Sequence, residues 1–384
     1  MHSTTYLIVG GGMTGDMAAK GIREHDHDGP ITIVGAEPHP PYKRPPLTKA
    51  LWKGADESTV WREQADGVDL VEGRRIVGVD LDAKRATDDQ GKEYAWEKLL
   101  LTTGAEPRRI PGADSVIHYR TLDDYRRLRG IAREGTRVVV IGGGFIGSEL
   151  AAALCDTGCS VTMVFPEHGI GARLFPTELS SFVTDYYRAR GVEVRAGETV
   201  AGVEGTVVHT GSGDMLEADC VVAGLGVIPH TDLAEAAKLP VDDGIVVDEY
   251  GRCGGRADVL AAGDVARFPV PALGSSMRIE HEDHANTHGK TVGGNAAGAG
   301  SPYDHLPFFY SDLFDLGYEA VGQVDSRLEA VERWDEPNRK GVVAYVDDQR
   351  RPRGYLLWNV WGKLDAAREA IVAGEPVSEE LLVS

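Results

Sequence analysis

The pattern of apolar and polar positions repeats one structural unit twice along the chain. Residues 6–9 and 138–141 are short apolar runs, typical of strands that are buried on both faces. Each run leads into a glycine-rich turn, a helical segment and a further apolar run, at 31–34 in the first copy and at 161–164 in the second. A strand, a helix and a second strand in this order favour an α/β fold with parallel strands.

The rest of the chain predicts further strands and helices around these two copies. Residues 77–81 and 94–101 lie on either side of a turn-like segment and predict a hairpin. Helices are expected at 121–133 and 176–190, and strands around 192–194, 207–208, 220–222 and at the start of 258–264. From about residue 305 the aromatic residues become dense, and alternating runs at 341–346 and 354–360 indicate an antiparallel sheet.

Both glycine-rich turns have the spacing of a dinucleotide-binding fingerprint. The glycines of the G-x-G-x-x-G pattern are Gly10, Gly12 and Gly15 in the first copy and Gly142, Gly144 and Gly147 in the second. Glycine lets the backbone approach a pyrophosphate, and the helix behind it offers unpaired N–H groups and a positive dipole end. Glu37 and Glu167 follow the next strand of each copy, where an acidic residue holds the ribose. Two such sites suggest two dinucleotides bound together, so that a hydride can pass between them.

Composition and charge narrow the class of protein. The chain of 384 residues is 42% hydrophobic, which is enough for a sizeable core and two or three domains. The net charge of −20 argues against nucleic acid, whose phosphates require clustered cations, and against anionic lipid surfaces. No apolar run is long enough to span a bilayer, and the first strand begins by about residue 5. We therefore expect no targeting segment, no membrane partner and a cytoplasmic location.

The cysteine and histidine patterns favour neither a disulfide nor a metal site. The four cysteines are too few for a secreted disulfide framework, and Cys155 and Cys159 are interpreted as apolar filling. His281, His284 and His288 lack the spacing of a zinc protease motif, so no metal is expected.

Five further motifs extend the two fingerprints over nearly the full length of the chain. They are PYKRPPLTK at 41–49, LTTGA at 101–105, VLAAGD at 259–264, IEHEDHA at 279–285 and FYSD at 309–312. In this order they resemble the FAD-dependent NADH:ferredoxin reductases of oxygenase systems and their relative, apoptosis-inducing factor. The resemblance implies a glutathione-reductase-like α/β architecture, with two Rossmann-type dinucleotide-binding domains and a smaller α+β C-terminal domain.

The resemblance also implies how the chain is divided and where FAD binds. An FAD-binding domain would comprise 1–112 and 236–300, an NAD-binding domain 113–235, and the C-terminal domain 301–384. FAD contacts would come from Gly10, Gly12, Gly15, Glu37, Arg44, Lys49, Asp264, Glu280 and His281. Among these, Arg44 would lie on the pyrophosphate and Asp264 would hydrogen-bond the ribityl chain. The helix starting at Glu280–His281 would direct its positive dipole end at the flavin.

The second fingerprint would hold NAD(H). Glu167 would accept hydrogen bonds from both ribose hydroxyls and repel a 2′-phosphate, which favours NADH. Arg173 could accept that phosphate, so NADPH stays open as an alternative. Further cofactor contacts are expected at Thr103, Gly104, Ile146 and Gly226.

The residues expected at the reacting rings are Lys49, Phe145, Glu149, His281 and Tyr310. Phe145 would cover the flavin face and yield to nicotinamide, with packing of the following helix as the alternative. Glu149 would pair with Lys49 and bond the nicotinamide carboxamide, with a solvated helix residue as the alternative. Tyr310 stands where the family usually has Trp, a departure that could alter the choice of electron acceptor.

The implied function is hydride transfer from NADH to FAD, followed by electron transfer to a ferredoxin- or rubredoxin-type carrier. Such carriers are usually acidic, so this acidic chain would need a local basic patch. Lys340 and the arginines at 350–353 are the candidates. The alternative function is an NADH-responsive redox sensor like apoptosis-inducing factor, which forms a stable charge-transfer complex and changes its oligomeric state. The chain is expected to be a monomer or a homodimer.

Overall fold

The computed structural model describes residues 2–378, which form two compact units of helices and strands. The α-helices are α1 (Met13–Arg23), α2 (Leu122–Ile131), α3 (Phe145–Asp156), α4 (Thr177–Ala189), α5 (Asp232–Ala236), α6 (Glu282–Ala296) and α7 (Leu364–Ala373). Short 3-10 helices cover Pro45–Leu47, Glu57–Val60, Gly263–Val265 and Pro271–Leu273. Within residues 2–378, none of the helices is long and apolar enough to cross a membrane.

The strands run through the whole described part of the chain. They are β1 (His2–Val9), β2 (Ile31–Val34), β3 (Val68–Val71), β4 (Ile76–Asp80), β5 (Arg85–Asp88), β6 (Glu93–Leu101), β7 (Ala105–Pro107), β8 (Ile117–His118), β9 (Arg137–Ile141), β10 (Ser160–Phe165), β11 (Glu193–Ala196), β12 (Val200–Glu204), β13 (Val207–Thr210), β14 (Met215–Glu217), β15 (Cys220–Ala223), β16 (Val227–Pro229), β17 (Ile245–Val246), β18 (Val259–Ala261), β19 (Ala266–Val270), β20 (Ser275–Arg278), β21 (Phe308–Leu313), β22 (Leu316–Gly322), β23 (Glu329–Glu336), β24 (Lys340–Val346) and β25 (Pro352–Trp358).

The first unit comprises the described residues up to Lys43, together with Glu57–Glu106 and Ile228–Pro307. Its main sheet has the strand order β3-β2-β1-β6-β5-β4, and β18 pairs with β6. β1, β2, β3, β6 and β18 are parallel where they pair, because the chain returns through helices or long connections. The core of this unit is apolar, with Ile8 and Leu100 of the sheet fully buried against Ile22 of α1 and Val292 of α6.

The hairpin predicted for 77–81 and 94–101 is wrong, because an unpredicted strand lies between the two segments. β5 pairs antiparallel with β4 on one side and with β6 on the other. Its four residues are largely polar, so the pattern does not indicate a strand. Asp88 is nevertheless buried, since its side chain accepts hydrogen bonds from the Tyr94 hydroxyl at 3.1 Å and the Lys92 N–H at 2.8 Å.

The second unit comprises Arg44–Asp56, Pro107–Val227 and the described residues from Phe308 onward. A parallel sheet has the order β11-β10-β9-β15-β8, and an antiparallel sheet of C-terminal strands has the order β21-β22-β25-β24-β23. The antiparallel sheet predicted beyond residue 305 is confirmed. Buried aromatic residues fill the interior of the unit, where Tyr318 stacks on Trp358 with ring centroids 5.7 Å apart and Phe175 packs edge-on against both rings.

Helix α2 of the second unit starts at a capping box. The Thr121 side chain accepts from the Asp124 N–H, and the Asp124 carboxylate accepts from the Thr121 N–H at 2.8 Å. Leu122, Tyr125 and Leu128 are buried on its inner face. The predicted helix at 121–133 is therefore present, with its N-terminus set by the cap.

Candidate functional site

In the first unit, the turn at 10–15 between β1 and α1 is built from glycines that leave no room for side chains. Gly10 has a φ of +122°, and a Cβ there would lie 2.2 Å from the Thr102 carbonyl oxygen. A Cβ at Gly15 would lie 2.1 Å from the Gly10 carbonyl oxygen. Gly12 differs, because a Cβ built there would have no atom of residues 2–378 within 4 Å other than those of its chain neighbours. In addition, no described side chain caps the N-terminus of α1. The start of α1 is thus an open cradle that fits a pyrophosphate.

The turn at 142–147 in the second unit has the same construction. Gly142 has a φ of +119°, and a Cβ there would lie 2.4 Å from the Gly224 carbonyl oxygen. A Cβ at Gly147 would lie 2.0 Å from the Gly142 carbonyl oxygen. At Gly144, the N-cap of α3, the Cβ position is again open with respect to the described residues. This turn therefore also fits a dinucleotide pyrophosphate.

The two acidic residues expected at the riboses have different partners. Glu37 accepts a hydrogen bond from the buried Tyr42 hydroxyl at 2.5 Å. Glu167 forms an ion pair with Arg173 at 2.6 Å, in which the Arg173 side chain is 84% exposed. An exposed arginine can leave its partner at little cost, so Glu167 can still accept bonds from a ribose.

Several of the predicted cofactor contacts lie at one edge of the first unit's sheet. Thr103 and Gly104 follow β6; the Thr103 hydroxyl donates to the His230 carbonyl at 2.9 Å, and the His230 N–H donates to the Gly104 carbonyl at 3.0 Å. Asp264 follows β18, and its backbone carbonyl accepts from Arg278 at 3.2 Å. Because β1, β6 and β18 are parallel, these residues share the carboxyl edge from which the turn at 10–15 leaves.

The helix predicted to point at the flavin begins as expected. His281 is the N-cap of α6 and Glu282 its first residue, and no described side chain caps the helix. Glu280 accepts from Arg278 at 2.5 Å. Although part of the His281 side chain is accessible, desolvation by the surrounding protein lowers its pKa to about 4. His281 is therefore uncharged at neutral pH, and positive potential at this end of α6 comes from the helix dipole.

Two further histidines of α6 are fully buried in a cluster of rings. His284 stacks on Phe268 with ring centroids 4.5 Å apart, and its Nδ1 lies 3.1 Å from the Tyr303 hydroxyl. Burial lowers the pKa of His284 to about 3 and that of His288 well below its usual value. The part of the chain that the structure describes contains no group of three or more side chains placed to hold a metal ion.

In the second unit, the predicted pair of Lys49 and Glu149 is formed and almost buried. Lys49 Nζ contacts Glu149 Oε1, with the two side chains 12% and 6% exposed. The same Oε1 accepts from the Ser311 hydroxyl at 2.6 Å, and Oε2 accepts from the Thr48 hydroxyl at 2.5 Å. Lys49 also lies over the Tyr310 ring, 5.1 Å from its centroid. Two other chain segments, 48–49 and 310–311, thus converge on the Glu149 carboxylate.

The donors around Glu149 determine what else it can bind. Each carboxylate oxygen can accept about two hydrogen bonds. Oε1 receives both Lys49 and Ser311, whereas Oε2 receives only Thr48 among the described residues. The carboxylate therefore keeps one acceptor position, on Oε2, for a donor such as an amide N–H.

Phe145, Ile146 and Gly226 lie around the turn at 142–147. Phe145 is half-buried as the first residue of α3 and packs edge-to-face on Phe309, with ring centroids 5.3 Å apart. Ile146 packs beneath Gly224, and the Gly226 carbonyl accepts from the Arg108 N–H at 2.9 Å. These contacts are those of a packed helix start, while the proposed role of Phe145 at a flavin stays a prediction.

The sequence-based prediction of the site includes Arg44 but not the two hydroxyl groups that donate to Glu149. Arg44 lies in the second unit, where its Nη1 donates to the Arg120 carbonyl at 2.9 Å. Thr48 and Ser311 were missed, although each is adjacent to a predicted residue, Lys49 or Tyr310. Both residues lie within the motifs at 41–49 and 309–312, but their separations from Glu149, 101 and 162 residues, hide the convergence.

Comparisons with known proteins cover the whole site. The family model for pyridine nucleotide-disulphide oxidoreductases matches residues 4–289, and the model for the C-terminal region of mitochondrion-associated apoptosis-inducing factor matches 292–339. Apoptosis-inducing factor 1, mitochondrial, of Dictyostelium discoideum is 32% identical over 423 residues, covering 97% of this chain and 79% of that protein. The ferredoxin–NAD(+) reductase component of the anthranilate 1,2-dioxygenase system of Burkholderia cepacia is 35% identical over 390 residues, covering 97% and 95%. The crystal structure of a covalent putidaredoxin reductase–putidaredoxin complex superposes with a TM-score of 0.92 at 28% identity, covering 100% of this chain and 96% of that one.

Proposed function

Because this chain belongs to the pyridine nucleotide-disulphide oxidoreductase family, we propose that it oxidises NADH and passes the electrons to a ferredoxin- or rubredoxin-type carrier. The predicted family, the glutathione-reductase-like fold class and the enzyme class, an FAD-dependent NAD(P)H oxidoreductase, are confirmed. Its cofactors are FAD and NAD(H), as predicted. The domain boundaries at 112, 235 and 300 and the roles of individual residues stay proposals.

The observation that carries the proposal is the pair of open glycine turns. FAD would bind at Gly10, Gly12 and Gly15, and NAD(H) at Gly142, Gly144 and Gly147, since a side chain is absent where each pyrophosphate would approach. When bound, FAD accepts a hydride from NADH and can release electrons to an acceptor. No protein nucleophile or general base is required, so this chain binds, orients and shields its cofactors.

Lys49 and Glu149 would orient the nicotinamide end of NADH. Glu149 lies on α3, whose N-terminus is the proposed pyrophosphate site, and Oε2 keeps the acceptor position that a carboxamide N–H would fill. The Lys49 ammonium compensates the charge of the buried Glu149 carboxylate.

The electron acceptor is proposed from the relatives. Curated relatives include the ferredoxin–NAD(+) reductase component already described and a rubredoxin–NAD(+) reductase from Ectopseudomonas oleovorans. The predicted basic patch at Lys340 and residues 350–353 is largely neutralised by ion pairs within the chain. Lys340 pairs with Asp335 at 3.0 Å, and Arg351 pairs with Asp347 at 2.8 Å. Carboxylates of a carrier would have to compete with these ion pairs at this patch.

Rapid mixing with NADH tests the proposed function. The purified protein should contain FAD, be reduced by NADH without oxygen, and be reoxidised within seconds by a [2Fe–2S] ferredoxin of an oxygenase system. Failure of that ferredoxin and of a rubredoxin to reoxidise it, while ferricyanide does so, would contradict the proposed acceptor. A long-lived long-wavelength band with a change in oligomeric state would instead favour the redox-sensing alternative.

A further inference from the structure

We infer that the acidic electron carrier docks on a rim of the second unit formed by Trp52, Lys53 and Arg129, here called the Trp52 rim. This inference rests on the proposed function, because it locates the partner of the same reaction. The rim combines an accessible aromatic side chain with two exposed cations, in a chain whose net charge is −20. Trp and Arg are the residues most often found at the energetic centre of protein interfaces.

Trp52 is held in one orientation before any partner arrives. Its indole N–H donates to the Leu47 carbonyl at 2.8 Å, and its ring packs edge-to-face on Tyr125 with centroids 5.7 Å apart. The Arg129 guanidinium lies over the Trp52 ring, 5.6 Å from its centroid. A side chain that is already ordered loses little entropy on binding, which favours its use in an interface.

The cations of the Trp52 rim are not neutralised within the chain. Among residues 2–378, neither Lys53 nor Arg129 has a carboxylate partner within ion-pair distance; Arg129 donates instead to the Ala132 carbonyl at 3.2 Å. Lys340 and Arg351, by contrast, are already paired with carboxylates. An exposed cation without a carboxylate partner can meet an acidic protein without first breaking an internal ion pair.

The Trp52 rim adjoins the proposed chemistry. Trp52 and Lys53 line the same depression as Lys49 and Glu149, so a protein seated on the rim would cover this pair. Asp156 and Asp312 also line the depression, and the surface is therefore mixed in charge. This mixture fixes the orientation of an acidic carrier, whose carboxylates must face Lys53 and Arg129.

Charge reversal with a matched control tests the inference. The double variant Lys53→Glu/Arg129→Glu is compared with Lys340→Glu/Arg351→Glu, which changes the net charge equally at the paired cations. With a [2Fe–2S] ferredoxin of an oxygenase system at low ionic strength, KM should rise about tenfold in the rim variant and by less than about twofold in the control. The difference should shrink as salt is raised toward about 1 M. NADH-dependent reduction of ferricyanide, which needs no docking, should match the wild type in both variants.

The other possible results of this experiment would contradict the docking surface. A rim variant with unchanged ferredoxin KM, or a control that weakens equally, would overturn the docking surface. Slowed ferricyanide reduction in the rim variant would also overturn it, because the substitutions would then act on flavin reduction. If the wild type reduces ferricyanide but neither ferredoxin nor rubredoxin, the proposed acceptor itself is wrong and the docking surface falls with it.

Discussion

The turns at 10–15 and 142–147 have nearly the same backbone but are followed by different side chains. The first glycines have φ values of +122° and +119°, and the N-caps Gly12 and Gly144 have φ values of −87° and −85°. Two residues after each last glycine, however, the first turn has Met17 and the second has Glu149. The glycines therefore determine where a pyrophosphate can lie, and the following helix determines the chemistry beside it.

The buried acidic side chains near the two turns also differ in how their carboxylates are paired. In the first unit, Asp16 of α1 is 2% exposed and pairs with Arg62 at 2.6 Å and with Lys20 at 2.9 Å. Both partners belong to the same unit, and the three residues tie α1 to the loop at 62. In the second unit, the buried acid is Glu149, which keeps an acceptor position. Buried charge thus forms ion pairs within the first unit, whereas in the second unit it leaves one acceptor position on Glu149 Oε2.

Valine at the open N-cap glycines should have the largest effect and separate the two turns. Gly12→Val and Gly144→Val place methyl groups where the described structure has no atoms, and both backbones suit a β-branched residue. Gly12→Val should be purified without flavin. Gly144→Val should keep FAD but be reduced by NADH roughly 100-fold more slowly, because the nucleotide is displaced. Flavin spectra and rapid mixing measure both, and loss of flavin from Gly144→Val would contradict the assignment.

Breaking the Lys49–Glu149 pair should have the next largest effect. Removal of either side chain leaves a buried charge uncompensated, at a cost to the free energy of unfolding of about 3 kcal/mol. Lys49→Ala and Glu149→Ala should each slow reduction by NADH by roughly 100-fold while FAD stays bound. Met17→Ala, at the matching position of α1, is the control and should leave the reduction rate unchanged. Normal kinetics in both variants would show that nicotinamide lies elsewhere.

Loss of one hydroxyl donor to Glu149 should have an intermediate effect. A hydrogen bond to a charged group contributes at least about 1.5 kcal/mol, so Thr48→Val and Ser311→Ala should each slow reduction by NADH by about tenfold. The conservative variants Thr48→Ser and Ser311→Thr keep the hydroxyl and should restore most of the rate. If they are as slow as the apolar variants, the hydroxyls contribute packing rather than positioning.

Changes at the ribose acids should be smaller. Glu167→Ala removes the acceptor for the ribose hydroxyls and should lower the preference for NADH over NADPH by about tenfold. Arg173→Ala frees Glu167 from its exposed ion pair and should change NADH reduction by less than about threefold. Reduction rates with both coenzymes check this. A wild type reduced equally well by NADPH would instead make Arg173 a phosphate ligand.

Acid should destabilise the first unit through two histidines that are desolvated in the folded state. The folded-state pKa values of His281 and His284 lie near 4 and 3, below the unfolded value of 6.5. The unfolded chain therefore binds more protons below pH 6.5, and unfolding becomes easier as the pH falls from 6.5 toward 4. Calorimetry should show Tm falling by a few degrees already between about pH 6.5 and 5, above the range in which most carboxylates titrate. A flat Tm over that range would contradict this expectation.

Much of the fold follows from local patterns. The strands before the turns, the helices α2 and α4 and the C-terminal antiparallel sheet were predicted because apolar periodicity and caps act over a few residues. β5 was not predicted, since a polar strand of four residues is decided by Asp88 and its hydrogen bonds. Lys49 and Glu149 were predicted as a pair through the family resemblance.

By itself, the sequence determined the two glycine turns and, through its motifs, the family and cofactors. The reason is steric: the spacing of the glycines specifies a backbone that other residues cannot adopt. Only the tertiary structure decided that Thr48 and Ser311 donate hydrogen bonds to Glu149. It also decided that Trp52 and Arg129 lie on the same surface. Such contacts connect segments about a hundred residues apart, and they depend on how whole elements pack rather than on any local pattern.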